Sequence, residues 1–165
     1  MNFWATLDRR ILLSLDDEVL KVFGKFAQTN IRAPESGGIL LGRVRGDNLE
    51  VTEATYPSLW DRGFRFFFER NEHLHQEIAR KRWEQTCGTI RYLGEWHTHP
   101  EDHPSPSSID RTEWIKLART RQDSRPLLAV IVGRKSLHVE LVGAQGVNQI
   151  LSAMDDKGLT TPRQL

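Results

Sequence analysis

A chain of 165 residues with 23 basic against 22 acidic side chains carries a formal net charge of +1, which gives no electrostatic case for a nucleic-acid partner. At 38% apolar and a mean hydropathy of −0.51, it holds no run of about 18 apolar residues, which excludes a helical membrane bundle. Cys87 is the single cysteine, so an internal disulfide and a cysteine-built zinc site are both excluded, and any metal must be held by His and carboxylate.

In chain order, the first ten residues lack the pattern of a signal peptide, and Asp16-Asp17-Glu18 cuts short the apolar run Ile11–Leu15. A cytoplasmic location follows as the expectation. Ser14 is expected to cap a helix running to about Asn30, with Leu15, Val19, Val22, Phe23 and Phe26 on one face. Pro34 separates it from a buried strand, Ile39–Val44. Arg45-Gly46-Asp47-Asn48 turns the chain into a second strand over Leu49–Tyr56. The segment Asp61–Arg70, with Phe64, Phe66, Phe67 and Phe68 among charged residues, reads as a short edge strand.

Glu72 to about Thr86 reads as a helix, with Glu77 four residues before Lys81. Thr89–Thr98 reads as a strand, ended by Pro100, and Ser107 to about Arg121 as a helix with Trp114, Leu117 and Ala118 on one side. Leu127–Val132 is a continuous apolar run and so a buried strand. Leu137–Val142 alternates, with His138 and Glu140 on a wetter face. The expected class is α+β, one domain over residues 1–154 with a mixed sheet flanked by helices, and a polar tail over 155–165.

The chemistry concentrates in Glu95-Trp96-His97-Thr98-His99-Pro100 and Ser107-Ser108-Ile109-Asp110. Side chains at i and i+2 of a strand share a face, so His97 and His99 aim at one point. Residues 100–106 loop back to Ser107 and Asp110 at a helix start; if that start faces the strand end, Asp110 can supply a third ligand. Two His and one carboxylate form a catalytic zinc set with an open fourth position. Such a site needs a base near its water, and Glu35, Glu95 and Glu101 are the candidates.

His97-x-His99, seven residues, then Ser107-x-x-Asp110 resembles the JAMM signature of the JAB/MPN/Mov34 metallopeptidase family. Pro34-Glu35-Ser36-Gly37-Gly38-Ile39-Leu40-Leu41-Gly42 resembles that family's upstream glutamate element. The resemblance covers roughly residues 15–142. It implies an MPN fold of the cytidine-deaminase-like kind with one zinc per chain on His97, His99 and Asp110. It further implies Glu35 as the base and Ser107 as a donor to the oxyanion. The implied activity is cleavage of isopeptide or peptide bonds after the C-terminal tail of a ubiquitin-like protein.

The short form is similar to the bacterial branch encoded in CBASS-type antiphage operons beside an E1/E2-like enzyme. There the partner is a conjugated nucleotidyltransferase. Rival readings are a non-catalytic MPN scaffold that binds ubiquitin-like folds, and a processing peptidase for a ubiquitin-like sulfur carrier.

Ser107-x-x-Asp110 is also a capping-box pattern, and the two roles coexist. His73-Leu74-His75 repeats the spacing but falls in an expected helix, where i and i+2 diverge by about 200°, so both are expected in solvent. His103 and His138 are expected at the surface, and Cys87 in the interior. Glu95 shares the strand face of His97 but lies roughly 13 Å from His99, which favours Glu35 as base. Gly37, Gly38 and Gly42 lack a following Gly-Lys-Ser/Thr, so they form no phosphate loop. The chain lacks the His-x-Glu and Pro-Cys-x-x-Cys of the zinc nucleobase deaminases. Phe64, Phe66 and Phe68 are candidate substrate contacts beside the groove, with Arg62, Arg65 or Arg70 pairing with the tail. The alternative is that these Phe complete the core.

Overall fold

Leu127–Val132 shows why the fold has two layers outside one barrel. Leu128, Val130 and Val132 point into one core while Leu127, Ala129 and Ile131 point into another, so every residue of this strand is buried. The structure, a computed structural model, describes residues 2–30, 32–57, 62–64, 67–69 and 72–155. Its strands are β1 (Asn2–Thr6), β2 (Leu12–Leu15), β3 (Gly37–Arg45), β4 (Asn48–Ala54), β5 (Arg62–Phe64), β6 (Phe67–Glu69), β7 (Arg91–Thr98), β8 (Leu127–Val132), β9 (Leu137–Val142) and β10 (Asn148–Ala153). Its helices are α1 (Asp17–Phe26), α2 (Glu72–Gln85) and α3 (Ser108–Thr120).

Eight strands close into a barrel in the order β1-β10-β9-β8-β7-β3-β4-β2. The pairs β2·β4 and β7·β8 are parallel and the other pairs antiparallel, which makes the sheet mixed as expected. The barrel core holds Leu13, Leu15, Leu40, Val51, Leu93, Trp96 and Leu141. Val19, Val22 and Phe23 of α1 join it, Phe23 meeting Trp96 at 5.2 Å between ring centroids. Outside the barrel, α3 covers β8 and β9 with Trp114 and Ala118. Ile78 and Ala79 of α2 pack on Ile39, Leu41 and Ile90.

Several expectations change. The helix starts at Asp17, not after Ser14, because Ser14 lies in β2, whose pairing with β1 and β4 claims the backbone. The expected single edge strand over 61–70 is a two-stranded pair, β5 with β6, apart from the barrel. Strands β1 and β10 were not expected at all. Cys87 is exposed in the turn after α2, with φ at 50°. Residues 156–165, the rest of the expected tail, lie outside the described residues. No helix among the described residues is long and apolar enough to cross a membrane.

Candidate metal centre

The site forms where β7 ends between β3 and β8. His97 pairs with Gly37 on one side and Ile131 on the other. The chain stays extended past the strand because the His99 N–H donates to the Val132 carbonyl at 3.0 Å. Both imidazoles thereby keep to the outer side. The segment before β3 is tied to the same strand end. The Thr98 N–H donates to the Ser36 carbonyl at 2.8 Å, and the Ser36 N–H donates to Thr98 Oγ1 at 3.0 Å. This clamp carries Glu35, 62 residues upstream of His97, to within 3.9 Å of His99 Nε2.

Gly38 has to be glycine for β3 to lie this close to its neighbours. A Cβ there would sit 2.5 Å from Thr55 Oγ1 and 2.6 Å from the Thr55 carbonyl oxygen. Those atoms hold β3 in place, since Thr55 Oγ1 accepts from the Ile39 N–H at 2.9 Å.

Asp110 comes from the first turn of α3. Ser107 is the N-cap: its Oγ accepts from the Asp110 N–H at 3.2 Å, and its own N–H donates to Asp110 Oδ2 at 2.6 Å. This reciprocal capping box orients the carboxylate. Oδ1 then stands 3.2 Å from His97 Nε2, and Oδ2 stands 3.5 Å from His99 Nε2. The two Nε2 atoms are 3.1 Å apart.

These separations test the fit of zinc. Zinc bonds of about 2.0–2.1 Å at tetrahedral angles put neighbouring donors about 3.3–3.4 Å apart. His97 Nε2 lies near that spacing from His99 Nε2, at 3.1 Å, and from Asp110 Oδ1, at 3.2 Å, while His99 Nε2 approaches the other carboxylate oxygen, Oδ2, at 3.5 Å; one donor atom from each of the three residues lies within 4.8 Å of the others. The donor set of two imidazoles and one carboxylate is also the one zinc takes in a cysteine-free site. Three protein donors leave the fourth position open.

Charge at the site is strongly coupled. Glu35 is 5% exposed, and burial pushes its carboxyl up to about 7. His99 opposes that rise, and Asp110 and Glu101 add to it. Burial also acts on Asp110, but hydrogen bonds to His97 and His99 outweigh it and hold its carboxyl well below the usual range. For His99, burial works against the charged ring, while Asp110, Glu35 and Glu101 overcome it and raise its pKa. The centre therefore keeps one carboxylate firmly ionised, whereas the other exchanges a proton near neutrality.

The remaining candidates fall elsewhere. Glu95 lies on β7, where its Oε1 accepts from the Tyr92 hydroxyl at 2.9 Å. Phe64 and Phe68 lie in β5 and β6, and Phe66, Arg65 and Arg70 lie outside the described residues. His75 is not in solvent: it is 1% exposed, and its Nδ1 meets Thr55 Oγ1 at 3.1 Å. The helix turns it inward against β4, away from the metal donors. His103 stays near the surface, where it meets Ser136 Oγ at 2.9 Å.

His138 and Glu140 overturn the wetter face of β9. Glu140 is buried, His138 Nε2 lies 2.7 Å from its Oε2, and Arg111 Nη1 donates to its Oε1 at 3.2 Å. The His138 ring stacks on Trp114 at 9°, and Trp114 lies 6.1 Å from the His97 ring. The sequence signal was a Glu between Val139 and Leu141 with a basic residue directly after Asp110. It was missed because alternation alone assigns that face to solvent.

The family described as prokaryotic homologs of the JAB domain matches residues 18–143. A CD-NTase/cGAS isopeptidase of Pseudomonas aeruginosa is 46% identical over 155 residues, covering 94% of this chain and 98% of that protein. CD-NTase/cGAS isopeptidases of Escherichia coli and Vibrio cholerae are 38% and 40% identical. The first covers 74% of this chain and 76% of that protein, the second 67% and 69%. A protein of Desulfitobacterium hafniense solved in solution shares the fold, with a TM-score of 0.60 at 22% identity, over 83% of this chain and 88% of that one.

Proposed function

Because the chain belongs to the prokaryotic homologs of the JAB domain, we propose that it is a zinc-dependent isopeptidase. On this reading it releases a CD-NTase/cGAS-type nucleotidyltransferase from the amine to which its C-terminus is conjugated. The observation that carries the reading is the convergence of donor atoms of His97, His99 and Asp110 within 4.8 Å of one another, with the buried Glu35 carboxyl beside them. The relatives, at up to 46% identity, carry the isopeptidase name and the nucleotidyltransferase class. A scaffold that only binds ubiquitin-like folds has no need of this donor set.

His97, His99 and Asp110 would hold zinc, which would supply Lewis acidity and make a bound water more acidic. Glu35 takes a proton from the attacking water and passes it to the leaving amine as the C–N bond breaks. Burial raises its carboxyl above the ordinary carboxylate range, the direction that suits a group that must hold and pass on a proton. The Ser107 hydroxyl already accepts the Asp110 N–H, and it keeps its own proton free to donate to the oxygen on which charge develops. Water's OH ends on the tail carboxyl and its proton on the amine, so the step balances.

The test is release of free nucleotidyltransferase from a defined isopeptide conjugate, read by gel and mass spectrometry. Zinc-loaded protein is expected to release it, chelation to stop it, and zinc to restore it. His97→Ala and Asp110→Ala are expected to lose both bound zinc and release. Intact conjugate after incubation with fully zinc-loaded protein would overturn the reading.

A further inference from the structure

Two of the metal donors stand on different elements, His99 just past the end of β7 and Asp110 in the first turn of α3, and ten residues lie between them. That loop is fastened along the turn that joins β8 to β9. The Arg134 N–H donates to the Glu101 carbonyl at 2.7 Å, and the Asp102 carbonyl accepts from the Lys135 and Ser136 N–H groups at 3.0 and 3.2 Å. Within the loop, Glu101 Oε2 accepts from the Ser105 N–H at 3.1 Å. The turn is itself closed by the Gly133 N–H, which donates to the Ser136 carbonyl at 3.0 Å.

Gly133 sets how closely turn and loop meet. A Cβ there would stand 2.4 Å from Pro104 Cδ and 2.9 Å from the Glu101 carbonyl oxygen, closer than real Cβ atoms come. Pro104 is buried, and its closed ring has no free end to swing aside. Asp102 adds ion pairs to Arg134 and Lys135, each at 2.7 Å, but all three side chains are more than a third exposed. Ion pairs of that kind contribute little in water. The backbone bonds and the Gly133–Pro104 contact therefore supply most of the hold.

We propose that the β8–β9 turn is the template that fixes this loop before zinc arrives, with Gly133 as a positioning residue for the His99–Asp110 pair. A loop left free would have to be ordered on metal binding, and the lost chain entropy would count against affinity; a loop fixed beforehand escapes that loss. The two ends of the loop are already tied down. The His99 N–H is bonded to the carbonyl of Val132, the residue before Gly133, and the cap at Ser107 orients Asp110. Trp114 and Arg111 seat α3 on the sheet from its far side. The loop then sets where Ser107, and with it the Asp110 carboxylate, stands relative to His99. The proposal rests on the zinc-isopeptidase reading, and its test separates the two.

Zinc affinity is read by chelator competition, and amide hydrogen exchange by NMR on the metal-free protein. In the wild type the Arg134, Lys135 and Ser136 amides are expected to be protected without zinc as well as with it. Gly133→Ala is expected to fold and to bind zinc about 10–100-fold more weakly, the scale for losing a partner that orients a ligand. Adding Pro104→Ala removes the ring atoms that the new Cβ meets, so the double variant is expected to bind zinc more tightly than Gly133→Ala alone. Wild-type amides that exchange freely until zinc is added would overturn the template, whether or not Gly133→Ala folds. So would unchanged zinc affinity in folded Gly133→Ala, or a double variant that regains none of the loss; both leave the isopeptidase reading intact. Affinity lost and regained as expected, with no conjugate released by the zinc-loaded wild type, would keep the template and overturn the isopeptidase reading. A wild type that binds no zinc would overturn both.

Discussion

Arg111 donates through Nη1 to Glu140 Oε1 at 3.2 Å, tying the residue after Asp110 to the middle of β9. Glu140 is 1% exposed and also holds His138, whose ring stacks on Trp114. The first turn of α3 is therefore braced at Arg111 and again at Trp114, one turn on. Metal ligands depend on such outer partners for orientation, and losing one costs about 10–100-fold in affinity. Glu140→Gln is expected to lower stability by about 1–3 kcal/mol, the scale of a weakened buried hydrogen-bonded group. It is also expected to weaken zinc binding on the order of 10-fold at the lower end of that range. Thermal melts and chelator competition measure the two separately. A melting shift with unchanged zinc affinity would mean the brace serves packing alone.

The same carboxylate sets an acid limb. Burial would raise the Glu140 carboxyl, but His138 and Arg111 outweigh it and hold the pKa below its ordinary value of 4.5. The unfolded state then binds more protons in the acid range, so this contribution is complete above the ordinary carboxyl pKa and fades as pH falls through the folded one. Urea midpoints of the zinc-free protein are expected to drop below about pH 5. Glu140→Gln should drop less over the same interval. Parallel curves for the two proteins would remove Glu140 from the cause.

Glu35 and Glu95 offer a paired comparison. Glu35→Gln leaves a side chain of the same shape in a buried position that already favours the neutral form, so the fold and bound zinc are expected to persist. Turnover is expected to fall by at least about 10²-fold, the usual scale of lost acid–base help. Glu95 is held by Tyr92 rather than by the metal donors, and Glu95→Gln is expected to be much milder. The opposite ranking in kcat, with zinc content equal, would transfer the base to Glu95.

The elements around the centre were legible because each carries a local signal. The apolar runs of β3 and β8, the His-x-His pair on β7 and the cap at Ser107 lie within short windows. His97, His99 and Asp110 are close in sequence, and Glu35 was legible only through its resemblance to a family element. The barrel closure was not legible. Its seam joins β1 to β10, Trp4 opposite Ala153, at opposite ends of the chain. β10 buries only Leu151 and Ala153, so its sequence gives almost no hydrophobic alternation to read. The inward turn of Glu140 was hidden for another reason: its partners, His138 and Arg111, come from two elements.

Ser107 joins structure to chemistry, and the two parts can be separated. Its Oγ caps α3 by accepting from the Asp110 N–H, and its N–H holds Asp110 Oδ2. Only the first contact uses the side chain. Ser107→Ala is therefore expected to cost about 1 kcal/mol in stability, as for other N-cap deletions. Because the backbone N–H still orients Asp110, zinc is expected to stay bound. Turnover is expected to fall about 10²–10³-fold, the scale of one lost oxyanion donor. Ser107→Asp keeps a good N-cap acceptor but has no hydroxyl proton to give. It is expected to recover the stability of the wild type and none of the turnover. Recovery of turnover along with stability in Ser107→Asp would show that Ser107 acts through the helix cap alone.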